Sequence, residues 1–406
     1  MYLQDQYETP MSFAYNATVL LGSIRGNEMN DAAFTFTDAS CREVSRGGAL
    51  ISLTNIKKMI EGTLTQYNEL VQKVAFFGEE TPTSIFPPVD ISKLLDNQQN
   101  RSPGYSFIDD PRNCFDQYRQ SYGKWFLSDR ERAERFVHWD GQTLVWKPQP
   151  TQQFLKDMEQ CRTLLAVGTT LSAGPSARST EVSRRTLRNV PGVPRSLRIL
   201  YHNVALVDTE DKTSRKSNKD LFVPHVPTRE WSTALIQNIA LFRPFEEYLA
   251  EQLFPTQPII TSRYRYQLWP GLKESMTGEH LSDGIGRVTK EYLGDTLKIR
   301  LWRELVTTFS SQFDDARLFE LHKEYYVDVA TMHSTTASVN KYGGHSLGVR
   351  GVDSRMIVGC IKVGIEWHKL VGVGQAKPLS VSRDEEEEEE EEGAGGRSRV
   401  SATKGM

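Results

Sequence analysis

The sequence predicts an α+β fold in which helices dominate and a small β-meander lies in the second half of the chain. Apolar residues recur at helical spacing along residues 53–77, whereas residues 196–201 and 204–207 are short runs with the character of strands. Helical periodicity returns in three later segments, residues 233–253, 297–309 and 355–370. Helices packed on one small sheet satisfy both patterns.

Composition indicates an intracellular protein with a sizeable core. The chain has 406 residues, of which 38% are apolar and 10% aromatic, so it can bury a large apolar interior. It contains no run of 18 apolar residues and no signal-peptide pattern at its start, so no membrane partner is expected. The cysteines are scattered and form no C-x-x-C pair, which suits a reducing compartment: Cys41, Cys114, Cys161 and Cys360.

The charge is distributed unevenly along the chain. Removing the nine acidic residues 384–392 raises the net charge from −3 to +6. Residues 374–406, which hold this run and the glycines after it, are predicted to form a disordered acidic tail. We interpret the tail as solubilising, with a mimic of DNA as the alternative. Residues 178–229 carry eleven basic and five acidic residues, which favours an anionic partner.

The first predicted region covers residues 1–165 and is mainly helical. Its helix at 53–77 is expected to have Thr54 or Asn55 as its N-cap, and prolines mark residues 78–104 as a loop. The following aromatic-rich stretch, with a turn at Asp140-Gly141, is predicted to pack in the core rather than to stack on bases. A helix at 154–167 closes the region.

The second predicted region covers residues 166–373. A break at residues 172–175 precedes a short helix at 181–187, and the meander follows. Its third strand is predicted at 221–224, after a polar loop at 208–220.

Common cofactor and metal motifs are absent from the sequence. It has no Walker loop, no G-x-G-x-x-G, no H-E-x-x-H and no G-x-S-x-G. His322 and His333 are not at the spacing of helical metal ligands. We therefore expect no cofactor and no metal.

Four residues together suit chemistry on a phosphodiester. Arg178 and Glu181 form an R-x-x-E box, Arg303 lies on an amphipathic helix, and His333 precedes Tyr342 by nine residues. Guanidinium groups can hold the nonbridging oxygens of a phosphate, while a tyrosine hydroxyl can attack phosphorus and a histidine can share a proton.

With these motifs the chain resembles the tyrosine recombinase and integrase family. It is most similar to the recombinase-like region of fungal proteins related to Crypton mobile elements and telomere-linked RecQ-type helicases. The resemblance spans roughly residues 50–373. The matching segments are SPGYSFIDDPRN (residues 102–113), GPSARSTE (174–181), RPFE (243–246) and WHKLVG (367–372).

The resemblance implies a nuclear enzyme of mobile-element origin that cuts and rejoins double-stranded DNA. Arg178 and Arg303 would grip the scissile phosphate, His333 would assist, and Tyr342 would form a 3′-phosphotyrosyl bond. That bond conserves the energy of the phosphodiester, so strand exchange would need neither ATP nor metal. The helical first region would clasp DNA opposite the catalytic domain, and a DNA-dependent homo-oligomer is implied.

Two positions depart from the family pattern. The family carries a lysine in a β-hairpin after the first arginine, and Asn203 stands at the expected position. The helix box is usually H-x-x-R, whereas Arg300 here precedes Arg303, and the next residue is the acidic Glu304. An amide cannot deliver a proton as a lysine does, so these positions argue against full cleavage activity but not against DNA binding.

The basic loop after the second strand is a candidate DNA contact. Its side chains fit phosphate contacts that position DNA without reading its sequence. They also resemble a weak nuclear-localisation patch. The residues are Lys212, Arg215, Lys216 and Lys219. The three lysines of this loop, Lys212, Lys216 and Lys219, are also candidates to replace the missing hairpin lysine.

Other functions remain open from the sequence. Arg178 and Glu181 can simply form an ion pair on the surface. Arg303 can be a helix arginine whose stem lies along an apolar face and whose guanidinium group is in solvent. One alternative function is a catalytically degenerate DNA-binding module. Another is a protein-interaction remnant of a helicase-linked polypeptide.

Overall fold

The fold is described from a computed structural model, which covers residues 33–208, 222–313 and 354–374. Over these ranges the α-helices are α1 (Leu53–Val74), α2 (Ser121–Ser128), α3 (Arg130–Phe136), α4 (Pro148–Ser172), α5 (Ser179–Ser183), α6 (Arg229–Gln237), α7 (Arg243–Leu253), α8 (Pro258–Tyr266), α9 (Gly278–Leu293), α10 (Ile299–Ser310) and α11 (Ser354–Val371). The strands are β1 (Thr35–Phe36), β2 (Glu43–Arg46), β3 (Ala49–Ser52), β4 (Val137–Trp139), β5 (Leu144–Trp146), β6 (Leu197–Leu200), β7 (Asn203–Asp208) and β8 (Val223–His225). A π-helix, Asn238–Phe242, joins α6 to α7.

The strands form small antiparallel sheets, which confirms the α+β prediction. Across the described ranges the orders are β1-β2-β3, β4-β5 and β6-β7-β8. The last sheet is the predicted meander. Leu206 in its central strand lies opposite Leu197 of β6 and His225 of β8. Every residue of these three strands is buried, so helices and loops cover both faces.

Helix α1 forms where the apolar period predicts it. Ile56, Met59 and Ile60 lie on its buried face. Its N-cap is Ser52, whose hydroxyl accepts a hydrogen bond from the Asn55 backbone N–H at 3.2 Å. The expectation of Thr54 or Asn55 as the cap is therefore wrong, because the first helical turn starts earlier than the polar pair suggests.

Helix α4 is the central element of the molecule. It contacts α1, α6 and α9, and its last eight residues, 165–172, are all buried. The helix runs without interruption through residue 165, where the sequence places the boundary between two regions. Ala173 and Gly174 then end it, as the sequence predicts, and Gly174 adopts a left-handed φ of 76°.

Aromatic rings fill the core between α2, α4 and α7, as predicted. The centroids of Tyr122 and Phe242 are 4.8 Å apart, and those of Phe126 and Phe245 are 4.9 Å apart. Such spacing is typical of edge-on and tilted packing in protein interiors. Trp139 is an exception, because 65% of its surface is exposed.

The core is continuous from Phe34 to Val373. A smaller apolar cluster lies between the meander and α11. Its members are Leu200, Ala205, Val207, Phe222, Val226, Ile357, Ile361 and Ile365.

Some elements differ from the sequence predictions. The helix expected at 181–187 is the single turn α5, because Thr186 instead forms a β-bridge with Gln267. Helix α9 was not predicted, since its glycines hide the apolar period. At one of them, Gly284, a Cβ would lie 2.7 Å from Cγ2 of Val167, so the close packing of α4 and α9 needs glycine there.

Two sequence predictions fall on other parts of the chain. The tail predicted from residue 374 lies outside the described residues from position 375 onward, and the polar loop predicted at 208–220 does so over residues 209–220. No helix in the described ranges is long and apolar enough to cross a bilayer.

Candidate functional site

Arg178 is positioned by a tight connection between α4 and α5. The left-handed Gly174 lies against an indole, and a Cβ on it would be 2.4 Å from Cγ of Trp367. Only glycine fits both the φ angle and this contact. Pro175 follows, and Arg178 then directly precedes the first residue of α5.

Glu181 holds Arg178 from one turn further along α5. The Glu181 carboxylate accepts from the Arg178 backbone N–H at 2.7 Å and from Nη1 of its guanidinium at 3.0 Å. The arginine side chain is 26% exposed and the glutamate side chain 14%. The i,i+3 ion pair considered from the sequence thus exists, but it is half-buried rather than on the open surface.

Arg303 belongs to the same charged site as Arg178. It lies on α10 between the buried residues Trp302 and Leu305, and is 7% exposed. Burial and, next, the positive charge of Arg178 lower the pKa of Arg303 to about 10, while Glu181 acts in the opposite direction. Two guanidinium groups from distant parts of the sequence therefore share one electrostatic environment.

Contacts between helices connect the two segments that carry the arginines. The start of α9 packs against the start of α5, where a Cβ on Gly278 would lie 2.9 Å from Oγ of Ser179. Gly294, with a left-handed φ of 74°, ends α9 and lets the chain turn into α10. Helix α10 then packs against α9, so α9 links the helix of Arg303 to the helix that follows Arg178.

The two residues that depart from the family pattern beside Arg303 pair with each other. Glu304 accepts a hydrogen bond from Nε of Arg300 at 3.0 Å. The side chain of Arg300 is 87% exposed. This i,i+4 pair partly offsets the acidic charge next to Arg303, and Glu304 still acts to raise the pKa of Arg303.

A buried charge network ties the connection before α5 to the meander. Asp208, the last residue of β7, accepts from Nε of Arg185 at 3.0 Å and from its Nη2 at 2.5 Å. His225 on β8 lies 3.2 Å from the same carboxylate, and its other ring nitrogen is 2.9 Å from the Pro175 carbonyl oxygen. Burial opposes the charge of Asp208, but Arg185 and His225 outweigh it and lower the pKa of Asp208 to about 2.

Sequence reasoning missed this network. Arg185, Asp208 and His225 follow no common spacing, and only the folded sheet brings them together. All three are at most 5% exposed. Through the Pro175 carbonyl they tie the chain just before Arg178 to the sheet.

Asn203 lies at the start of β7, immediately after the tight turn that joins β6 to β7. Tyr201 and His202 have positive φ angles of 47° and 60°, the conformation of a type I′ turn. The Asn203 amide donates to the Tyr201 carbonyl oxygen at 2.8 Å, and the residue is 3% exposed.

The other predicted site residues lie outside the described parts of the chain. They are the proposed catalytic residues His333 and Tyr342 and the proposed DNA contacts Lys212, Arg215, Lys216 and Lys219. The structure thus brings together the two predicted residues that it describes, Arg178 and Arg303. Within the described ranges, no group of three or more His, Cys, Asp or Glu side chains is arranged to hold a metal ion.

Comparisons with protein-family models, with curated proteins and with solved structures give no match to this chain. The functional argument therefore rests on the geometry of the site and on the sequence motifs.

Proposed function

We propose that this chain is a tyrosine recombinase-like protein that binds double-stranded DNA and holds a backbone phosphate between Arg178 and Arg303. One observation carries the proposal: the positive charge of Arg178 helps to lower the pKa of the buried Arg303, so the two guanidinium groups of the motif lie within electrostatic reach of each other. Two nearby guanidinium groups repel each other, and a bound phosphate would remove that repulsion. Glu181 would keep Arg178 oriented through the bonds described above.

In the proposed reaction, the Tyr342 hydroxyl attacks the phosphorus held by the two arginines. The new phosphotyrosyl bond forms as the bond from phosphorus to the 5′ oxygen breaks. The proton of the tyrosine passes to a base, for which His333 is the candidate, and the leaving 5′ oxygen takes up a proton. The reverse sequence rejoins the strand. The guanidinium groups offset the charge that builds up on the phosphate oxygens during the attack.

A catalytically degenerate DNA-binding module is the second candidate, and Asn203 favours it. This side chain is neutral and buried, and it donates to the Tyr201 carbonyl. It is therefore a poor source of a proton for the leaving oxygen. Under this alternative Arg178 and Arg303 still bind phosphate, but no covalent product forms.

Covalent trapping separates the two candidates. The protein is incubated with fragmented genomic DNA and denatured in SDS, and the DNA still attached is quantified beside a Tyr342→Phe control. We expect attached DNA with the wild-type protein and none with Y342F, which should retain noncovalent binding. Adducts that survive in Y342F would remove Tyr342 from the role of nucleophile.

Binding measured over a range of salt concentrations tests the arginine pair itself. Arg303→Met should weaken binding to duplex DNA and reduce the slope of log affinity against log salt by about 1, since one phosphate contact is lost. Arg300→Met is the matched control on the same helix, and its salt slope should stay closer to that of the wild type. Equal effects of both substitutions would contradict a specific role for Arg303. Binding that does not depend on salt at all would favour the protein-interaction alternative.

A further inference from the structure

A cavity of about 390 Å³, here called the π-helix cavity, lies between α1, residues 81–86 and the π-helix Asn238–Phe242. Its size is that of a site for a small organic ligand. It is open to solvent rather than enclosed, and the exposed residues Asn68 and Thr83 are among those that line it. A ligand can therefore reach it without any opening of the core.

The described side chains that line the π-helix cavity are all uncharged. They are carboxamides, hydroxyls, aromatic rings and small apolar groups. A second cavity, of about 520 Å³ between α1, α4 and α9, differs because Asp283, Arg287 and Glu291 line it. Since the burial of a charge without a partner is costly, the π-helix cavity favours a neutral ligand.

Aromatic rings form one wall of the π-helix cavity. Phe86 lies between two other rings, with its centroid 5.8 Å from that of Phe76 and 6.3 Å from that of Phe242. Phe86 is only half-buried, so part of its ring stays available to a ligand. Phe242 follows Asn238 by one turn of the π-helix, a conformation that is frequent at functional sites. A flat aromatic ligand suits such a wall, because rings stack or meet edge-on.

Two buried polar groups of the cavity have hydrogen-bonding capacity to spare. The Tyr67 hydroxyl accepts from the Asn238 side-chain N–H at 3.3 Å, and both residues are at most 3% exposed. Among the described residues, no acceptor takes the Tyr67 proton and no donor reaches the Asn238 side-chain oxygen. Burial raises the pKa of Tyr67, so its hydroxyl keeps the proton that it can donate. The pair thus offers a ligand one donor and one acceptor.

We propose that the π-helix cavity binds a nucleobase that carries an amino group next to a ring nitrogen, as adenine and cytosine do. The Asn238 oxygen would accept from the amino group, the Tyr67 hydroxyl would donate to the ring nitrogen, and the base would pack against the ring of Phe86. A base of this kind is neutral, which matches the uncharged lining. It is either a free nucleoside or a base turned out of a DNA strand, and only the second source rests on the function proposed above.

Calorimetric titration of the full chain with adenosine tests the site. We expect a Kd of about 1 mM or lower. Purine riboside, which has the same rings without the amino group, should bind about tenfold more weakly, because the hydrogen bond to Asn238 is lost. A protein that binds neither compound would overturn the proposal. Equal affinity for both would also overturn it, since stacking alone would then account for binding.

Tyr67→Phe removes the donor and keeps the ring. The affinity of Y67F for adenosine should fall about tenfold. Tyr122→Phe is the matched control, because Tyr122 is also fully buried but donates to the Ala75 carbonyl oxygen at 2.6 Å and does not line the cavity. Y122F should bind adenosine as the wild type does. An equal loss of affinity in both variants would contradict a direct contact between Tyr67 and the base.

Ala234→Leu fills part of the cavity instead of changing its hydrogen bonds. Ala234 is a half-buried residue of α6 that lines the cavity, so a larger side chain would occupy space that the base needs. A234L should lose adenosine binding while its unfolding midpoint stays at or above that of the wild type. Wild-type affinity in A234L would mean that adenosine binds elsewhere, and it would refute the assignment.

Competition identifies the source of the base. A short duplex with one bulged adenine that displaces adenosine, where a fully paired duplex does not, indicates a base turned out of DNA. Adenosine that stays bound beside both duplexes indicates a free nucleoside. Neither Arg178 nor Arg303 lines the cavity, so R303M should bind adenosine as the wild type does even where its binding to duplex DNA is weakened. The two proposals therefore fail independently.

Discussion

Gly168 sets the distance between α4 and α6. A Cβ at this position would lie 2.0 Å from the Cη2 atom of Trp231, a buried residue of α6. An indole ring is rigid and packed on all sides here, so it cannot move aside at low cost. The glycine is retained at a helix interior, where alanine would otherwise be favoured.

Gly168→Ala should therefore destabilise the protein although it improves helix propensity. We expect a loss of about 1–3 kcal/mol in the free energy of unfolding from overpacking. Gly364→Ala is the matched control in α11, where the nearest atoms to a Cβ are 3.6 Å away, an ordinary contact. It should be neutral or stabilise by up to about 1 kcal/mol. Urea unfolding of both variants checks the pair, and equal effects would refute the steric argument.

At the scale of elements, α11 is held in place by two neighbouring residues. Trp367 packs edge-on against Trp302 of α10, with ring centroids 5.8 Å apart. His368 is fully buried, and its Nε2 lies 3.0 Å from the Ser172 carbonyl oxygen at the end of α4. The helix thus joins the carboxyl end of α4 to the helix that carries Arg303.

His368 should make the docking of α11 sensitive to acid. Burial lowers the pKa of His368 to about 4 although its hydrogen bonds to the carbonyls of Ser172 and Val226 act in the opposite direction. In the unfolded chain its pKa is 6.5, so folding excludes a proton. The stability contribution is complete above pH 6.5 and is lost as the pH falls toward 4, by about 3 kcal/mol in total.

His368→Gln tests this dependence, because a glutamine amide can still donate to the Ser172 carbonyl but does not titrate. Urea midpoints at pH 7 and pH 4.5 should differ less for H368Q than for the wild type. An unchanged difference would assign the acid sensitivity to other groups.

At the scale of the whole molecule, one apolar core connects both regions that the sequence predicts. It runs from Phe34 to Val373, and α4 passes through the predicted boundary at residue 165. An arrangement of this kind favours cooperative unfolding, because neither part can lose its packing without exposing the other.

We therefore expect a single unfolding transition. Far-UV circular dichroism and tryptophan fluorescence should give the same urea midpoint. Ile56→Ala, which truncates a fully buried side chain of α1, should lower both midpoints together, by about 2–4 kcal/mol in free energy. Two separate transitions, of which I56A shifts only one, would instead support the division into two domains.

Much of the fold is predictable from local patterns. Helix α1 follows from its apolar period, and the meander follows from short strand-like runs between turn residues. Helix α9 is not predictable in this way, since Gly278 and Gly284 serve contacts with α5 and α4, and Gly286 faces the connection to α10, while all three lower its helical signal.

The candidate site is predictable only where a motif marks it. The R-x-x-E box and the helix arginine pointed to Arg178 and Arg303, and the fold brings them together. The network of Arg185, Asp208 and His225 depends on long-range pairing that leaves no spacing in the sequence. The roles of His333, Tyr342 and the four basic loop residues stay predictions.

The fit of Trp367 against Gly174 has a consequence for synthesis of the protein on the ribosome. The indole that completes the packing around Gly174 is made nearly two hundred residues after the glycine. Until α11 emerges, a nascent chain exposes the apolar face of the meander that this helix covers. Chaperones that recognise apolar surface should therefore bind the growing polypeptide most strongly just before α11 emerges from the ribosome.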